Sequence, residues 1–167
     1  MKNIIFSLIA LSVVCISCSK KDEVCSYKDS VFTASSSEIA NLESYLATTG
    51  ITGAQKHSSG FYYKITQQGS GNAVVNLCSD ITIKYMGRLT NGTVFDQSPA
   101  GGTTTFTLGG LIPGWQKGIP LISSGGKITL YNPPSLGYGS VDVKQNNIVI
   151  IPANSILIFE IDLVAVS

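Results

Sequence analysis

The sequence predicts an α+β fold: an antiparallel β-sheet with one short helix in its midst, preceded by a short amphipathic helix. Three observations predict it. Residues 61–66, 80–88 and 155–166 alternate or run apolar, with the β-branched and aromatic composition of strands. Asn91-Gly92 lies between two such runs and marks a tight hairpin turn. The helical opening after Pro113 must stop by about Ile119, because Pro120 cannot occupy a helix interior. Strands in succession with a single stubby helix among them give α+β rather than alternating βαβ units.

Residues 1–17 read as an export signal outside the fold. Lys2 supplies a positive start, and Ile4 to Ile16 is almost wholly apolar without Asp or Glu. That run is too short to span a bilayer comfortably. Ser17 before Cys18, at the end of the apolar run, resembles a bacterial lipoprotein signal in which cleavage leaves Cys18 to carry the lipid. Cys15 stands where such motifs usually have Leu, and bulky Val14 makes Cys15 itself a poorer site. The expectation is an exported lipoprotein of the outer or inner membrane, facing the periplasm or cell surface. An ordinary soluble secreted protein is the alternative.

Removing residues 1–17 takes away one lysine and no acid, leaving ten basic and ten acidic side chains. A neutral chain without a basic face excludes nucleic acid as an expected partner. Its length suits one domain with one core. Cys25 and Cys78 remain, and in an oxidising compartment such a pair can form a disulfide; two free thiols are the alternative. His57 is the sole histidine and neither Cys25 nor Cys78 has Cys-x-x-Cys spacing, so no metal site is expected.

Residues 18–59 read as a linker carrying one helix. Ser35 and Glu38 have the spacing of a capping box, and Ile39, Leu42 and Leu46 share one face of a helix over about 36–47. Thr48-Thr49-Gly50 ends it. Residues 60–167 form the domain. Gly69-Ser70-Gly71 turns after the first strand, Thr93-Val94-Phe95 begins the return from Asn91-Gly92, and 104–108 and 127–131 are further short strands. Trp115, the only tryptophan, is entered through Ile112-Pro113-Gly114, where the chain turns sharply. A large ring placed there is either an ordinary core residue or the floor of a pocket, depending on what the rest of the chain supplies as walls.

The walls are recognisable. Ile83-Lys84-Tyr85-Met86-Gly87, Asn91-Gly92-Thr93-Val94-Phe95-Asp96-Gln97-Ser98, Gly110-Leu111-Ile112-Pro113-Gly114-Trp115, Gly137-Tyr138-Gly139 and the run Ile151-Pro152-Ala153 to Phe159-Glu160 resemble, in order and near the same spacings, the signatures of FKBP-type peptidyl-prolyl cis–trans isomerases, the macrolide-binding immunophilins. The leader, linker and helix also resemble lipoprotein isomerases of Bacteroidetes-type bacteria. The resemblance implies a sheet curled around the short helix, with Trp115 as the pocket floor and Tyr85, Phe95, Tyr138 and Phe159 as aromatic walls. Leu111, Ile112 and Ile151 would supply aliphatic edges, with the Ile112 and Ile151 backbone N–H groups binding ligand carbonyls. Asp96 is the acid of the motif, expected to orient a hydroxyl such as that of Tyr85.

Thr104 stands where many relatives carry another pocket aromatic, which would lower one wall. Residues 140–149 read as a lengthened loop bearing Asp142, Lys144 and Gln145. The implied activity is rotation of Xaa-Pro bonds in exported proteins, with proline-containing polypeptides as substrates, macrolides as possible inhibitors, and neither cofactor nor metal. The alternative is a non-catalytic FKBP-like chaperone or binding module on a lipid anchor.

Overall fold

The computed structural model describes residues 25–167; the signal and Cys18 lie outside the described residues. In chain order the elements are α1 (Ser36–Thr48), β1 (Gln55–Lys56), β2 (Tyr62–Gln67), β3 (Asp80–Leu89), β4 (Val94–Gln97) and β5 (Thr104–Thr107). They continue with α2 (Pro113–Gly118), β6 (Gly126–Asn132), β7 (Val143–Gln145), β8 (Ile148–Ile151) and β9 (Leu157–Val166). Among the described residues no helix is long and apolar enough to cross a membrane.

Seven strands make one antiparallel sheet in the order β1-β2-β6-β9-β3-β4, with β5 also paired to β3. The ten-residue strands β3 and β9 pair along their whole length, from Ile81 opposite Val166 to Leu89 opposite Leu157. The other edge of β3 is shared: β5 covers Asp80 to Ile83, and β4 covers Met86 to Arg88. Tyr85 falls at the gap between them. There its backbone pairs with Ser98 instead, the Tyr85 N–H donating to Ser98 Oγ and the Ser98 N–H to the Tyr85 carbonyl.

Alternation assigns the two faces. Ile81 and Ile83 of β3, Ile128 and Leu130 of β6, and Leu157, Phe159, Ile161 and Leu163 of β9 point inward and are buried with Trp115 and Ile119. The intervening Tyr131 and Ile158 point outward, where Leu42 and Leu46 of α1 cover them. So α2 fills the inner face and α1 docks on the outer one.

The capping box forms as the spacing of Ser35 and Glu38 predicts. The second Glu38 carboxylate oxygen accepts from the Ser135 N–H at 2.8 Å, tying α1 to the turn before Tyr138. Pro113 opens α2 at its first turn, and Pro120 lies in the 3-10 turn Ile119–Leu121 that follows it.

The structure corrects the reading of 140–149 as a plain loop. β7 and β8 form a hairpin whose two central residues, Asn146 and Asn147, have φ of 50° and 65°. Asparagine tolerates that left-handed conformation better than most residues, and two in succession make the tight turn that suits strand twist. Asp142 accepts from the Ala153 N–H at 2.8 Å across the hairpin base.

Residues 25–34 run back over the domain as an arm. Cys25 is bonded to Cys78. Tyr27 packs on Gly109, where any Cβ would collide with its ring.

Candidate active site

Between α2 and the inner face of the sheet lies a solvent-open cavity of about 220 Å³. Tyr85, Asp96, Phe106, Leu111, Ile112, Trp115, Tyr138 and Phe159 line it. Trp115 is 4 % exposed and receives three rings edge-on: Phe159 at 5.0 Å, Tyr85 at 5.3 Å and Phe106 at 6.3 Å between centroids. Edge-to-face contact puts the positive rim of one ring against the negative face of another, which orients the rings around Trp115. The indole Nε1–H is buried and has no hydrogen-bond partner among the described residues.

The Tyr85 hydroxyl donates to Asp96 Oδ2 at 2.7 Å. Burial, then this hydrogen bond and the Asp96 charge, push the Tyr85 phenol far above the usual tyrosine range. Burial and the same carboxylate also raise Tyr138. Both hydroxyls therefore stay protonated, and remain donors, through the neutral range. Tyr138 is 43 % exposed and sits on a turn held from both sides. The Gly139 N–H donates to the Pro134 carbonyl at 2.8 Å, and the Asn154 N–H donates to the Gly139 carbonyl at 2.9 Å.

The rim beneath Leu111 is braced from α2. Gln116 Nε2 donates to the carbonyls of Gly109 and Leu111, at 3.0 and 2.8 Å. Ile112 is the N-cap of α2, and its carbonyl accepts from the Trp115 N–H at 2.9 Å.

Seven of the nine residues that the sequence puts in the pocket meet there: Tyr85, Asp96, Leu111, Ile112, Trp115, Tyr138 and Phe159. The other two, Phe95 and Ile151, line an adjoining depression with Asp96, Tyr138, Val143 and Ile150. Phe95 stacks edge-on behind Phe159 at 5.6 Å, so it supports a wall rather than forming one. Both rings press on Gly87, where a Cβ would fall 2.7 Å from Phe95 and 2.9 Å from Phe159. That close approach is why the Tyr85-Met86-Gly87 motif needs its glycine.

The wall expected to be low at Thr104 is supplied from two residues on. Phe106 is opposite Ile81 in the β3–β5 register and turns its ring into the cavity. The period-two pattern Thr104, Phe106, Leu108 carries that signal, since Leu108 is fully buried on the same side.

A profile of the FKBP-type peptidyl-prolyl cis-trans isomerase family matches residues 72–164, which span all of these lining residues. The chain belongs to this family. Among FKBP-type relatives, FkpA of Buchnera aphidicola (from Schizaphis graminum) is 47 % identical over 112 residues, covering 66 % of this chain and 42 % of its own. FkpA of Escherichia coli K12 is 37 % identical over 115 residues, covering 68 % and 40 %. This chain thus spans less than half the length of these two FKBP relatives.

The crystal structure of E. coli FkpA superimposes with a TM-score of 0.66 at 33 % identity, covering 78 % of this chain and 60 % of that one. The structure of AtFKBP13 superimposes with a TM-score of 0.61, also at 33 % identity, covering 68 % and 98 %.

Proposed function

We propose that the chain is a peptidyl-prolyl cis–trans isomerase that acts on exported polypeptides. The observation that carries this reading is the aromatic box on Trp115, ringed by Tyr85, Phe106 and Phe159 and open on the side of Tyr138.

Rotating a peptide bond costs about 18–20 kcal/mol because amide resonance must be broken. Before proline the cis and trans forms are close in energy, but exchange still takes tens of seconds. No covalent bond is cleaved, so the site needs no nucleophile, base, metal or cofactor. It must instead hold the twisted amide better than the planar one. Planar resonance places negative charge on the carbonyl oxygen, which water stabilises. An apolar box withdraws that hydration and favours the less polar twisted state.

In this reading Trp115 packs under the proline ring, and Phe159 and Phe106 exclude water. The Tyr138 hydroxyl and the Ile112 and Ile151 N–H groups position carbonyls. Asp96 acts on Tyr85, holding its hydroxyl and ring in place; a lone carboxylate facing an apolar ligand would be expensive. Macrolide ligands of the family would compete for the same box.

The anchor is part of the proposal. Cleavage before Cys18 and its lipidation would place the domain in the cell envelope, at a membrane facing the periplasm or the exterior. Six residues separate Cys18 from Cys25, the first fixed point of the domain.

The test is isomerisation of Xaa-Pro reporter peptides by the full chain purified in detergent. Tyr138→Phe and Trp115→Ala are run in parallel and checked for folding by circular dichroism. Acceleration by the wild type, reduced in folded pocket variants, supports the enzyme. A folded wild type that leaves the uncatalysed rate unchanged across several residues before proline refutes it in favour of a binding module.

A further inference from the structure

Beside the aromatic box a wider groove of about 500 Å³ begins on the far side of Tyr138. Phe32, Pro113, Pro134 and Gly137 give it apolar walls. Tyr138 lines both cavities, and the step from Ile112 to Pro113 passes from the lining of one to that of the other, so the two adjoin across Tyr138.

Phe32 comes from the arm, outside the segment that matches the family. It is 60 % exposed, so more than half of its surface is free to cover another group. Its place is nevertheless fixed. Lys117 Nζ donates to the Ser30 carbonyl at 2.6 Å, and the Ala34 N–H donates to the Ser59 carbonyl at 2.9 Å. These ties lie two residues to either side of Phe32, and the Cys25–Cys78 bond secures the arm further back.

The groove also contains Glu38, but that carboxylate is already engaged by the N–H groups of Ser35 and Ser135. Ser135, Ser140 and Asn154 also line the groove, and Phe32, Pro113 and Pro134 supply the apolar surface that can cover an apolar side chain.

We infer that the arm and the turn over 134–140 form a specificity subsite for an apolar side chain of the substrate polypeptide, a few residues from the proline. This rests on the isomerase reading of the aromatic box. Extended chain advances about 3.3–3.6 Å per residue. A polypeptide leaving the box past Tyr138 therefore lays its next residues along the groove, where Phe32 and Pro134 can cover an aliphatic or aromatic side chain.

The experiment compares reporter peptides that share one Xaa-Pro core and carry Leu or Ser two or three residues away, on either flank. The full chain in detergent should show a higher kcat/KM for the Leu peptide on one flank. Phe32→Ser should reduce that Leu-over-Ser preference by about five- to tenfold, the loss expected for an apolar side chain left partly uncovered. Phe32→Tyr should restore it, and Val31→Ser, whose position does not line the groove, should leave it alone. No Leu preference in the wild type, or one that survives Phe32→Ser, overturns the subsite.

Binding of a fluorescein-labelled Leu peptide, followed by anisotropy, separates this from failure of the isomerase reading. If nothing is isomerised but Phe32→Ser weakens binding about five- to tenfold, the subsite stands without catalysis. If Kd is unchanged, the subsite falls.

Discussion

The bond between Tyr85 and Asp96 gives a decisive test of how the pocket is organised. Hydrogen bonds to a charged acceptor contribute about 1.5–3 kcal/mol, and at 2.7 Å this one is short. Asp96 faces solvent, which places the pair near the lower end, about 1–2 kcal/mol. Losing it should lower kcat/KM by about 5- to 30-fold. The perturbation is the cycle of Tyr85→Phe, Asp96→Ala and the double variant, assayed on one Xaa-Pro reporter. Denaturant unfolding of each variant confirms that the comparison is between folded proteins. If Asp96 acts only through Tyr85, the double variant should be no slower than the worse single one. Penalties that multiply would show that the carboxylate acts on the substrate directly and would refute the orienting role. A fully active Asp96→Ala would remove the carboxylate from the mechanism altogether.

Other predictions follow from neighbouring features. Asn132 is fully buried against Gly114, and neither amide atom has a partner among the described residues. An unpaired buried polar atom costs about 1–3 kcal/mol, so Asn132→Leu should stabilise the protein by about 1–2 kcal/mol and raise Tm by several degrees. Thermal or urea unfolding checks this, and a fall in stability would mean the amide is satisfied by a buried water. Opening the Cys25–Cys78 bond, which spans 53 residues, by Cys78→Ser should cost about 2–4 kcal/mol in urea unfolding. Unchanged stability would mean that the arm contributes nothing to the fold.

Acid should loosen α1. Burial pushes Glu38 upward, but the hydrogen bonds from Ser35 and Ser135 outweigh it and leave the carboxyl below its ordinary value of 4.5. Its contribution is therefore complete above about pH 4.5 and is lost as the pH falls through the lower folded value. Unfolding measured between pH 6 and about pH 3 should show wild type and Glu38→Gln converging at the acid end. A constant gap between them would refute the link.

Local chemistry made much of this protein legible in the sequence. Asn91-Gly92 marks the β3–β4 hairpin, Pro113 and Pro120 limit the inner helix, and Ser35 with Glu38 starts the outer one. Each works through backbone geometry within a few residues. Asn146-Asn147 carries the same kind of signal for the β7–β8 hairpin. The pocket residues were legible through resemblance to the family, because rings such as Tyr85 and Phe159 are ordinary core residues until the motifs are taken together.

Tertiary structure decided what no local pattern contains. Phe95 backs Phe159 while Phe106 takes a place in the box, because strand register rather than residue type sets which ring reaches Trp115. Gly87 is required by two rings that are 8 and 72 positions away in the chain but meet over its Cα. The arm at Phe32 reads as a polar linker in sequence. It becomes a wall only because a disulfide, a lysine and one backbone hydrogen bond, each to a distant segment, hold it beside Tyr138. The sequence by itself determined the elements that turns, prolines and caps mark and, through the resemblance, most of the residues that line the pocket. Folding determined which side chains share a surface, since that depends on contacts between residues that only the closed sheet brings together.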